Sequence, residues 1–115
     1  MPELAQRELT PPRGEDTAPL EGESISALYK LLGSEWELVE DHHLTRTYPF
    51  KDFQSALDFT NRVGAMAESV DHHPEICLSW GEVTIKIWTH SIGGLSEADF
   101  VFAARANSLA LTPSA

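Results

Sequence analysis

Residues 75–90 read Glu75-Ile76-Cys77-Leu78-Ser79-Trp80-Gly81-Glu82-Val83-Thr84-Ile85-Lys86-Ile87-Trp88-Thr89-His90. Ile76, Leu78 and Trp80 alternate with Cys77 and Ser79. After Gly81-Glu82, Val83, Ile85, Ile87 and Thr89 alternate with Thr84, Lys86, Trp88 and His90. A period of two on both sides of a glycine turn predicts a β-hairpin with one apolar face. Upstream, Trp36 and Leu38, then Leu44, Arg46 and Tyr48, predict a second pair of short strands, with Asp41-His42-His43 at their tip. Between the pairs, Phe53, Ala56, Leu57, Thr60, Val63, Gly64, Ala67 and Val70 recur at helical spacing behind Asp52, a suitable N-cap. Pro74 forbids that helix to continue and pushes His73 toward an extended conformation.

Two further helices frame these elements. Ile25, Leu28, Leu31 and Leu32 precede Gly33, where a helix end favours glycine. Past Gly93-Gly94, Ser96-Glu97-Ala98-Asp99 has the form of a capping box, followed by Phe100, Ala103, Ala104 and Asn107. The order helix, two strands, helix, two strands, helix predicts an α+β domain, a four-stranded antiparallel sheet with helices packed on one face. It is expected to span residues 24–112. Residues 1–23 carry Thr10-Pro11-Pro12-Arg13-Gly14-Glu15-Asp16 and no periodic apolar pattern, and are expected to be a disordered acidic, proline-rich tail.

At 115 residues the chain fits one compact domain. Eighteen acids against eight bases give a net charge of −10, which repels phosphate backbones and anionic lipid and argues against nucleic-acid or membrane partners. No apolar run approaches the ~20 residues of a membrane span. The start Met1-Pro2-Glu3-Leu4 lacks a basic region and an apolar stretch, so no signal peptide is expected. The single cysteine, Cys77, cannot form an internal disulfide and reads as a small buried hydrophobe in a reducing, cytoplasmic compartment.

Five histidines stand out in so short a chain. His72 and His73 sit where the long helix must end, His90 just past the last strand, and Glu68 one turn before His72. Imidazole gives and takes protons near neutral pH with little tuning, so a hollow shared by these residues suits general acid–base chemistry. Each also has a plainer reading. His72 and His73 complement a helix dipole, His90 is a strand-end residue, Asp99 completes a capping box and Glu68 is a solvated helix residue. Trp80 and Trp88 read first as packing residues, and His42 and His43 as an exposed turn. A zinc site from Glu68, His72 and His90 has no supporting His-x-His or cysteine pair, so no metal is expected.

The segment Glu68-Ser69-Val70-Asp71-His72-His73-Pro74-Glu75, with Trp80, His90 and Asp99 at their spacings, resembles the signature of the pterin-4a-carbinolamine dehydratases. The similarity runs over residues 31–107 and includes Phe50-Lys51-Asp52-Phe53 and Thr89-His90-Ser91-Ile92-Gly93-Gly94-Leu95-Ser96. The resemblance implies a hydro-lyase needing no cofactor, which removes water from 4a-hydroxytetrahydropterin to give quinonoid dihydropterin. It implies that His72 and His90 are the acid–base pair and that His73 orients the ring. Glu68 and Asp99 would hold the imidazoles, with Pro74 and the aromatic Trp80 bordering the substrate. Gly81 and Ser91 depart from the family pattern, Ser91 by removing a charge beside His90. A homodimer or homotetramer paired through edge strands is also implied. Some relatives have exchanged catalysis for protein binding, as a dimerisation cofactor of a transcription factor or as a Rubisco assembly factor in α-carboxysomes. The alternative expectation is therefore a weakly active or inactive protein with a client such as the Rubisco large subunit, and a carboxysome-associated address.

Overall fold

The computed structural model describes residues 4–12 and 18–111. Three helices, α1 (Gly22–Leu32), α2 (Phe53–Val70) and α3 (Glu97–Ala110), accompany four strands, β1 (Glu37–Val39), β2 (His43–Pro49), β3 (Glu75–Ser79) and β4 (Glu82–Ile87). The strands pair antiparallel in the order β1-β2-β4-β3, so the second hairpin inserts with β4 against β2 and leaves β1 and β3 at the edges. This is the expected α+β architecture.

Register decides which side is buried. Leu44, Arg46 and Tyr48 stand opposite Ile87, Ile85 and Val83, while Ile76 and Leu78 stand opposite Ile85 and Val83. These residues share the face under the helices, where Leu44, Tyr48, Val83, Ile85 and Ile87 are buried with Phe59 and Val63 of α2 and Phe100 and Phe102 of α3. Removing such a side chain from water contributes roughly 1.5–3 kcal/mol each. Thr45, Thr47, Thr84 and Lys86 take the other face of the sheet, where Thr47 and Thr84 hydroxyls meet at 2.8 Å.

Local chemistry sets the ends of α2. The Asp52 carboxylate accepts from the Ser55 N–H at 2.8 Å, and this bond holds its carboxyl below the usual carboxylate range. At the far end Asp71 turns left-handed (φ 52°, ψ 48°) and donates its N–H to Ala67 O and Glu68 O. That residue redirects the chain, so His72 leaves the helix axis and enters the core side of the structure.

Two details differ from the sequence reading. The first hairpin turns on Glu40 and Asp41, both with positive φ, and His43 already belongs to β2 rather than to the tip. The larger difference is at the N-terminus, expected to be a disordered tail. Residues 4–6 form a 3₁₀ turn, and Leu4 and Leu9 are buried in the common core. Arg105 of α3 donates to Arg7 O at 2.7 Å and to Ala5 O at 3.3 Å, and Arg7 pairs with Glu97 at 3.2 Å. Isolated leucines in a segment without periodicity give no sign of their burial; an external helix supplies the partners. Residues 1–3 and 13–17 of the stretch read as a tail, and Thr112, where the domain was expected to end, lie outside the described residues.

Candidate active site

His72, His73 and His90 come from the exit of α2 and from the turn after β4, yet all three line one cavity of about 200 Å³. Asp71, Trp88, Thr89 and Ser91 complete most of its wall. The turn is held by Thr89 N–H donating to Gly94 O at 2.8 Å. The double glycine has a physical reason. Gly93 adopts φ +64°, and a Cβ on Gly94 would come within 2.9 Å of the Pro19 ring.

Asp99 lies beneath the cavity with no solvent exposure. Its Oδ1 is 2.7 Å from His72 Nε2, and its Oδ2 accepts from Thr89 Oγ1 and from the Ser96 N–H, both at 2.8 Å. A carboxylate only accepts, so Nε2 of His72 carries a proton, and in the neutral imidazole the lone pair falls on Nδ1. Thr89 gives its single hydroxyl hydrogen to Asp99, so its 2.8 Å contact with Ser96 Oγ has the serine as donor. Asp99 is thus both the acceptor of the α3 capping box and the anchor of His72. Phe102 stands edge-on to the imidazole, with ring centroids 6.0 Å apart.

His73 is more exposed, its side chain half open to solvent, and its Nε2 donates to Glu68 Oε2 at 2.6 Å. Glu68 stands one helical turn before His72 in the sequence. Because α2 ends at Val70 and Asp71 turns left-handed, it meets His73. His90 has a different support, the Trp88 ring, with centroids 4.3 Å apart. On Trp88 also converge His42 (5.3 Å) and His43 (6.1 Å), the pair read as an exposed turn, with Nδ1 atoms 3.0 Å apart. Burial, then the neighbouring Lys86, lowers the His43 pKa.

Two residues expected at the site stand elsewhere. Trp80 occupies the β3–β4 turn, 71% exposed and at the opposite end of β4 from His90. The aromatic wall is Trp88, which the sequence reading took as packing. Pro74 leads from His73 into β3 and is not part of the cavity lining. Thr89 was legible only as the inward residue of the alternation Val83, Ile85, Ile87, Thr89; its partner Asp99 is too distant in sequence to be paired with it by pattern. Gly81 lies in the same turn as Trp80, so that departure stands away from the cavity, whereas Ser91 lines it. Among the described residues no group of three or more His, Cys, Asp or Glu side chains is placed to hold a metal ion.

The family profile described as pterin 4 alpha carbinolamine dehydratase matches residues 18–109. The chain belongs to that family. A protein of Rubrobacter xylanophilus, provisionally named a pterin-4-alpha-carbinolamine dehydratase, is 49% identical over 109 residues, covering 95% of this chain and all of the relative. One from Chlorobaculum tepidum with the same provisional name is 43% identical over 95% of this chain and 99% of its own. Among solved structures, a transcriptional coactivator/pterin dehydratase from Brucella melitensis superposes with a TM-score of 0.74 at 31% identity, over 80% of this chain and 98% of that one. A pterin dehydratase-like protein described as a RuBisCO assembly factor in the α-carboxysome shares the fold, with a TM-score of 0.59 at 23% identity over 71% of this chain and 96% of its own.

Proposed function

We propose that this carbinolamine dehydratase family member removes water from 4a-hydroxytetrahydropterin, yielding quinonoid dihydropterin, with His72 and His90 as the acid–base pair. One imidazolium protonates the departing C4a hydroxyl as the C–O bond breaks. The other imidazole takes the ring N–H proton whose bonding pair forms the new C=N bond, so water is the only fragment lost. His73, steadied by Glu68, orients the ring. The reading rests on three imidazoles meeting in one cavity, with the His72 tautomer fixed from below by Asp99.

The test is turnover of freshly prepared 4a-hydroxytetrahydropterin. A correctly placed acid or base is worth ~10²–10⁴-fold, so His72→Ala and His90→Ala are each expected to lower turnover by that order, His90→Ala at the parental unfolding temperature and His72→Ala at a lower one, because it strips the buried Asp99 of a donor. Parental rates in both variants would remove these residues from the mechanism. An inert parent would remove the activity itself and turn attention to a protein-binding role, with a client such as the Rubisco large subunit.

A homodimer or homotetramer joined through edge strands goes with the same reading. A domain this small gains much from burying an open sheet edge, and both edges are free of partners within the described chain.

A further inference from the structure

The cavity has one wall that the histidines do not supply. Pro11 and Pro12 line it together with His72, His73 and His90. The family profile begins only at residue 18. We propose that Pro11 and Pro12 form a substrate-retaining wall, pinned by α3 through Arg105, that sets how tightly the pterin is held; the proposal rests on the dehydratase reading of the site.

Three observations carry it. The segment is anchored at both ends of its described length rather than draped over the surface. Leu4 and Leu9 are buried, Arg105 grips the carbonyls of Ala5 and Arg7, and Arg7 reaches Glu97. Pro11 itself is buried, and the Pro12 carbonyl lies 3.4 Å from the Ser91 hydroxyl, which donates to it beside His90. The residue type fits the task. Consecutive prolines have fixed φ and no N–H, so they present a stiff apolar surface that does not compete for the hydrogen bonds of the imidazoles. A flat heterobicycle needs that combination, with rings against its apolar face and polar groups reserved for its edge.

The segment acts on retention and not on proton transfer, so its signature is a split between KM and kcat. In the full chain, Pro11→Ala with Pro12→Ala, and separately Arg105→Gln, are expected to raise KM for 4a-hydroxytetrahydropterin about fivefold with kcat within about twofold of the parent. A dihydropterin added to the parent should slow amide exchange in residues 4–10. With an active parent, an unchanged KM in both variants overturns the wall and leaves the dehydratase reading intact. With an inert parent that reading fails, and exchange decides alone. Protection of residues 4–10 by the dihydropterin then sustains the wall, and its absence overturns it.

Discussion

Two side chains gather many of the buried donors of this protein. Asn107 Oδ1 accepts from Trp36 Nε1 at 2.9 Å, from Arg46 Nη1 at 2.8 Å and from the Tyr48 hydroxyl, whose pKa burial pushes well up. Asn107→Ala strands three donors in and around the core and is expected to destabilise the fold by about 2–4 kcal/mol in urea unfolding, since each unsatisfied buried group costs roughly 1–3 kcal/mol. The sequence reading saw Asn107 only as one more position on a helix. Its partners lie 59 to 71 residues away, beyond any local pattern. Asp99 is the second such centre, and part of its role was legible, because a capping box is a four-residue signal. Asp99→Asn replaces one acceptor oxygen by a donor facing either His72 or Thr89. It is expected to lower turnover and stability together, the latter by about 1–3 kcal/mol.

Among the elements, α2 illustrates what a chain declares locally. Its apolar period, the Asp52 cap and the Pro74 barrier all lie within or beside the helix, and all were read correctly from the sequence. The cap makes stability depend on acid. Because the Ser55 N–H holds the folded Asp52 pKa below 3.8, its contribution is complete above that ordinary value and is lost as pH falls through the lowered one. The gap in unfolding temperature between the parent and Asp52→Ala is therefore expected to be widest near neutrality and to close at the acid end of a pH series. The hairpins were equally legible, since alternation and turns are local. The insertion of β4 beside β2 was not, because two hairpins can join through either strand. Nor was the packing of residues 4–12, which depends chiefly on groups of α3.

For the whole molecule, the β3 edge, unpaired among the described residues, is where the proposed pairing with a second copy would form. Cys77, read from the sequence as buried, is the middle residue of this five-residue edge strand and is exposed, because it faces away from the helices. A two-fold antiparallel pairing centred there would set the two cysteines opposite each other, with Cα atoms about 4.5–5.5 Å apart, within disulfide range. Mild oxidation is expected to yield a covalent dimer on a non-reducing gel, absent from Cys77→Ser; a parent that stays monomeric would refute pairing through this edge. Helix α3 has a broader claim on the molecule. It supplies the carboxylate under His72, both charged grips on the N-terminal segment and the amide that ties Trp36, Arg46 and Tyr48. Undocking that one helix takes the carboxylate from His72 and both grips from the proline-bearing segment at once. Heating should accordingly find no warm, compact but idle species: the loss of enzyme rate and the calorimetric transition are bound to fall at the same temperature.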